Sequence, residues 1–184
     1  MVAVQVVFET HSITLDNEAG IATGWLPGEL SAAGRELAAA LGRRRVTDGV
    51  VAVFCSDLAR AVQTAAIAFE GTGIPVLLDW RLRECDYGSR NGSPAAELHA
   101  DRAEYLDRPY PGGESWRQAT DRVGRFVADL RVVSVARRWS GRRVLVIGHV
   151  ATRWGLEIAL LGTPLEELPG RDFGWQPGWE YLVP

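Results

Sequence analysis

At 184 residues the chain has the length of about one domain, on a soft figure of ~150 residues each, and enough to bury roughly 70% of its unfolded surface without a disulfide or metal staple. Hydrophobic residues at 47% and charged residues at 23% exclude a disordered chain, and a net charge of −3 argues against a general nucleic-acid binder. All 20 basic residues are arginine, which excludes a lysine Schiff base and a lysine-bearing phosphate loop.

The first segment, Val2 to Phe8, is a near-continuous apolar run, as in a strand buried on both faces. It is too short and lacks the basic start of a signal peptide. Ser31 to Leu41 reads as a helix, and Val50 to Phe54 as a second buried strand. Ser56 is placed to cap a helix from Asp57 to about Phe69. Pro75 to Leu78 is a short strand, and a helix carrying His99 is expected between Pro94 and Leu106. Trp116, Val123, Phe126, Val127 and Leu130 recur at helical spacing, so Glu114 to Trp139 is a long amphipathic helix. Val144 to Ile147 is a third buried strand, followed by a helix from about Ala151 to Leu161 that Gly162 and Pro164 close. Glu180 to Val183 reads as a last strand, and Trp175 and Trp179 beside it as packing residues.

Strands alternating with helices predict an α/β fold, a three-layer α/β/α sandwich with a mostly parallel central sheet. Cys55 and Cys85 form no disulfide framework and no zinc motif, and read as small core thiols. No apolar run approaches the ~20 residues of a membrane span, so a cytoplasmic protein is expected.

Ligands of such sheets bind beyond the carboxyl ends of the strands. Two of the chain's three histidines, His11 and His149, lie just past the first and third buried strands, and Arg60 follows the second. Imidazole serves as nucleophile or acid–base group near neutral pH, and a guanidinium binds phosphate in a fork.

The chain resembles the histidine phosphatase superfamily, the phosphoglycerate mutase-like group. Its first motif is an Arg-His-Gly followed by x-Thr-x-x-Asn; here Thr10-His11-Ser12-Ile13-Thr14-Leu15-Asp16-Asn17 stands in its place. Ser56-Asp-Leu-Ala-Arg60-Ala-Val-Gln-Thr64-Ala65 matches the second block. Leu82-Arg83-Glu84, Pro111-Gly-Gly-Glu-Ser115 and Val146-Ile-Gly-His149 follow in family order, over roughly residues 4 to 162.

The resemblance implies a single domain over 1–184 that hydrolyses a small phosphorylated metabolite, with no metal and no cofactor. His11 would attack phosphorus and form a phosphohistidine. Arg60, His149 and Asn17 would hold the phosphoryl oxygens. Glu84 would protonate the leaving oxygen and then deprotonate water, a carboxyl beside a dianionic phosphate being favoured in its protonated form. The segment 85–110 would select the substrate and serve as a lid. No nucleic acid or membrane partner is expected, and a homodimer is the common oligomeric outcome.

Three positions depart from the pattern: Thr10 replaces the first Arg, Ser12 the following Gly, and Val150 the Gly after the second His. A lost charge-assisted hydrogen bond is worth ~1.5–3 kcal/mol, or roughly 10- to 150-fold in rate or affinity. Arg153, one turn past His149, is the first candidate to replace that Arg, with Arg83 and Arg90 behind it. A pseudoenzyme that binds a phospho-ligand or a protein without turnover is the second reading, and a mutase the third.

Overall fold

The computed structural model of the chain describes residues 3–171, 174 and 176–184. Met1, Val2 and Trp175 lie outside the described residues. The elements run β1 (Val4–Thr10), α1 (Leu15–Glu18), β2 (Ile21–Ala22), α2 (Ala32–Arg45), β3 (Val50–Cys55), α3 (Ala59–Phe69), β4 (Val76–Leu78), β5 (Ser93–Pro94), α4 (Ala95–Asp101), α5 (Trp116–Ala136), β6 (Arg143–Gly148), α6 (Val150–Leu161) and β7 (Trp179–Val183).

Five strands form one sheet in the order β4-β3-β6-β1-β7. All pairings are parallel except that of β7, which runs antiparallel to β1 along one edge. Successive residues of the central strands point to opposite faces. Val4, Val6 and Phe8 of β1 pack with Val144 and Val146 of β6 against Val123, Phe126 and Leu130 of α5 and Leu156 of α6. Val7, Leu145 and Ile147 face the other way, onto Leu41 of α2 and Ala61, Ala65 and Phe69 of α3. The expected three layers follow from that alternation.

Several boundaries differ from the sequence reading. Ser56 does not cap α3: its Oγ accepts from Leu58 N at 3.3 Å, and the helix starts at Ala59. Asp57 is drawn instead into a bidentate pair with Arg83, at 2.6 Å through both oxygens. The helix α2 runs four residues past Leu41, because Arg44 and Arg45 in its last turn meet Glu9, a carboxylate only 1% exposed near the end of β1. The long helix starts at Trp116, where Ser115 and Gln118 form a reciprocal capping box, and ends at Ala136. The helix carrying His99 is short, Ala95–Asp101, and tightens into a 3₁₀ turn at Arg102–Tyr105. Gly162 closes α6 in the left-handed conformation, as expected. The two-stranded ribbon of β2 and β5 had no clear sequence signal, each strand being two residues long.

Cys55 and Cys85 are buried free thiols. No helix among the described residues is long and apolar enough to cross a membrane.

Helices α5 and α6 approach closely at Gly155, where an added Cβ would sit 2.4 Å from Val123 Cβ. Overpacking of this kind costs about 1–3 kcal/mol. Gly155→Ala is therefore expected to lower the thermal midpoint. Thermal unfolding of the variant checks this, and an unchanged midpoint would show that the helices do not meet so closely here.

Candidate active site

The two histidines meet because of strand register. Strands β1 and β6 pair with Thr10 opposite Gly148, and His11 N continues the ladder by donating to Gly148 O at 3.0 Å. The next residues, His11 and His149, therefore emerge side by side, with ring centroids 4.9 Å apart. On the other flank, Ser56 N donates to Ile147 O, which brings the start of α3 to the same edge. Thr64 ties this corner together: its Oγ1 accepts from Ser12 N at 2.9 Å and donates to Arg60 O at 2.8 Å.

Arg60 lies between the imidazoles. Its Nε donates to His11 Nε2 and its Nη2 meets His149 Nδ1, both at 3.3 Å. Gly24 O accepts from Nη2 at 2.9 Å. The side chain belongs to a residue 3% exposed, and no carboxylate among the described residues pairs with it.

These contacts assign the tautomers. His11 Nδ1 lies 2.8 Å from Ser12 O, which can only accept, so Nδ1 carries the proton and Nε2 presents its lone pair. Burial, reinforced by the Arg60 charge, pushes His11 down to about 3. His149 is held well below its ordinary value, first by burial and then by Arg60. With His149 Nδ1 facing a guanidinium N–H, the proton of the neutral ring sits on Nε2. That atom is buried and without a partner.

Glu84 lies at the start of α6. Its Oε1 accepts from Cys85 N at 2.8 Å and Ala151 N at 3.1 Å, and its Oε2 from Val150 N at 3.2 Å. The loop behind it is braced by Arg122 of α5, a residue 1% exposed. Arg122 donates to the carbonyls of Arg81, Arg83 and Glu84 and pairs with Glu114 at 2.8 Å. Trp25 Nε1 donates to the same Glu84 carbonyl at 2.6 Å.

A cavity of about 570 Å³ opens over this arrangement and is lined by His11, Asn17, Arg60, Glu84 and His149. Thr10 lines it too, at the place expected for the missing Arg. Asn17 reaches the cavity, but its Oδ1 accepts from Thr14 N in a capping box, which leaves its NH₂ for a ligand. Arg153 is not brought to the site. It pairs with Glu157 one turn on, at 2.8 Å, and stacks on Trp179 at 4.5 Å. Arg83 is held by Asp57 and Arg90 by Asp101, so none of the three expected substitutes lines the cavity. The arginines that do line it, besides Arg60, are Arg44 and Arg102. Among the described residues no group of three or more His, Cys, Asp or Glu could hold a metal ion.

A family model described as the histidine phosphatase superfamily, branch 1, matches residues 7–176. The chain belongs to the histidine phosphatase superfamily. It is 33% identical over 178 residues to a 2,3-bisphosphoglycerate-dependent phosphoglycerate mutase of Methylobacterium sp. (strain 4-46), covering 89% of this chain and 84% of that one. It is 32% identical over 199 residues to a glucosyl-3-phosphoglycerate phosphatase of Mycobacterium tuberculosis (strain ATCC 25618 / H37Rv), covering 99% and 86%. A mycobacterial glucosyl-3-phosphoglycerate phosphatase solved in complex with VO3 superposes with a TM-score of 0.79 at 28% identity, over 94% of this chain and 86% of that one. The fold of this histidine phosphatase is thus that of phosphoglycerate mutase-like proteins, with phosphatases and mutases among its relatives.

The tautomer assignment is directly measurable. Imidazole ¹⁵N shifts should report His11 as neutral and Nδ1-protonated down to pH ~4, well below the ordinary histidine range. A His11 that titrates near pH ~6.5 would refute the half-buried, Arg60-facing placement.

Proposed function

We propose that this histidine phosphatase hydrolyses a small phosphomonoester through a phosphohistidine at His11. The observation that carries the reading is Arg60, a buried guanidinium between two neutral imidazoles with no carboxylate partner among the described residues. Such a charge calls for an anion, and the unpartnered His149 Nε2 offers a further donor to it.

The steps follow from the tautomers. The lone pair of His11 Nε2 forms the N–P bond as the P–O bond to the leaving group breaks. Arg60, His149 Nε2–H and the Asn17 amide hold the equatorial oxygens, where most of the transition-state charge lies. Glu84 gives its proton to the leaving oxygen. It then takes one from the water that attacks phosphorus and frees His11. Its three amide contacts, two at the start of α6 and one from Cys85 N, hold the carboxyl in place between these two steps. The relatives named as phosphatases and the VO3 complex support this reading.

Thr10 removes one cation from the phosphoryl site, and a contact that strengthens in the transition state is lost from turnover. Against an aryl phosphate, in chelator, His11→Ala is expected to abolish hydrolysis and the acid-labile ³²P-protein of the wild type. Glu84→Gln should lose roughly 10²–10⁴-fold on an alkyl phosphate; on a nitrophenyl ester, whose leaving group needs no proton, it should release a burst of nitrophenol and then turn over slowly, because the step with water still lacks its base. Thr10→Arg should raise turnover roughly 10- to 150-fold. Turnover that survives His11→Ala would overturn the mechanism. A wild type that binds phosphate, forms no phosphoenzyme and gains turnover only in Thr10→Arg would make the natural chain a binding protein.

A further inference from the structure

We propose that Trp25 is a positioning residue of the site: its indole ties the Glu84 loop to the same short loop whose carbonyls hold Arg60. The inference rests on the reading of Glu84 as proton donor, and goes beyond it by naming what fixes the distance between that carboxyl and the guanidinium that holds the phosphoryl group.

The loop between β2 and α2 reaches both halves of the site within three residues. Gly24 O accepts from Arg60 Nη2 at 2.9 Å, and Leu26 O from Arg60 Nη1 at 3.5 Å. Between them, Trp25 Nε1 donates to Glu84 O at 2.6 Å. The half-buried indole is fixed on its face as well, because the Arg83 guanidinium, itself clamped by Asp57, stacks 4.5 Å from the ring centroid. The loop backbone is also joined to the turn beyond Glu84: Asn91 Oδ1 accepts from Trp25 N at 3.4 Å and from Tyr87 N at 3.0 Å. Gly24, at φ +56°, lies so near this turn that an added Cβ would sit 1.8 Å from Asn91 Oδ1. Thr23 and Gly24 line the cavity, whereas Trp25 does not. A substrate there feels Trp25 only through the groups it holds.

The site has three corners, and each side of the triangle has its own fastening. Arg60 touches both imidazoles directly. Glu84 is joined to the His149 corner by the amides of Val150 and Ala151. Glu84 and Arg60 share no hydrogen bond or ion pair, and the Gly24–Leu26 loop closes that third side. Arg122 holds the same Glu84 carbonyl from α5, which braces the loop without setting its distance from Arg60. Proton transfer to a leaving oxygen on a phosphoryl group that Arg60 holds requires this third side to stay within hydrogen-bond reach, and a misplacement of ~1 Å costs up to about 10²-fold.

Trp25→Phe keeps a ring under Arg83 and both backbone carbonyls on Arg60, and removes only the N–H donor. On an alkyl phosphate its kcat should fall roughly 10- to 100-fold while KM stays within about twofold. Inorganic phosphate, which needs Arg60 but no proton from Glu84, should bind by calorimetry with an unchanged Kd. In the Glu84→Gln background the same substitution should cost nothing further, because the group it positions is already disabled. Equal losses in the two backgrounds would mark a merely structural role and overturn the proposal, and so would a weakened phosphate Kd. Hydrogen exchange tests the contact without turnover. The Cys85 amide, bonded to Glu84 Oε1, should exchange about tenfold faster in Trp25→Phe, and the His11 amide, bonded to Gly148 O, at the wild-type rate. An unchanged Cys85 rate overturns the proposal. Where the variant does not fold, the wild-type indole proton decides: exchange at the rate of a free indole refutes the contact, and protection equal to that of the Cys85 amide supports it. Faster Cys85 exchange beside a Glu84→Gln protein that hydrolyses alkyl phosphates at the wild-type rate refutes the acid–base reading of Glu84 and leaves the tie through Trp25 standing.

Discussion

The buried charge of Arg60 is the constraint around which the rest of the site is built. Taking a guanidinium out of water costs several kcal/mol unless its donors are satisfied and its charge compensated. The chain supplies the first half and withholds the second. Gly24 O, His11 Nε2 and His149 Nδ1 take its donors, but none is an anion. That choice sets the protonation of the whole site. Two imidazoles facing one cation stay neutral, so the net positive charge that this corner presents to an anion is that of Arg60 itself. A carboxylate in the place of Gly24 O would stabilise the empty protein and weaken the site.

Holding such a charge requires a stiff surround, and the structure puts it in backbone geometry. The register of β1 on β6 fixes both histidines, and Thr64 links the His11 turn to the first turn of α3. On the opposite wall, Arg122 performs the same service for Glu84 by gathering the carbonyls of Arg81, Arg83 and Glu84. This explains the Pro111-Gly-Gly-Glu-Ser115 block. Glu114 neutralises Arg122, Ser115 caps the helix that carries it, and Gly113 lies so near the 86–88 loop that a Cβ would meet Asp86 O at 2.2 Å. The block is a brace for the Glu84 loop as much as a turn before a helix.

What was legible in the sequence and what was not divide along physical lines. Apolar β-branched runs mark parallel strands, and their carboxyl ends mark the site, so His11, Arg60 and His149 could be read directly. Glu84 came with the family resemblance rather than with any periodicity. The fate of the arginines was harder, because an ion pair depends on where a carboxylate arrives in space. Arg83 meets Asp57 across 26 positions, which no local pattern announces. Arg153 did carry a signal: Glu157 stands four residues on, the spacing of a helical ion pair. Arg122 was hidden within an amphipathic helix, on the face that otherwise reads as core.

On the proposed reading, the replacement at position 10 has one energetic consequence. A cation there would act on the oxygens that gain charge during transfer and so would accelerate the reaction itself. With Thr10 on the cavity wall in its place, the donors left around the phosphoryl position are Arg60, the Nε2–H of His149 and the Asn17 amide. Binding energy from parts of a substrate that do not react does not lower the barrier by itself, but it can offset the cost of seating and orienting the phosphoryl group against His11. A site with one cation at its centre therefore depends more on how the rest of the substrate is seated than a site with two.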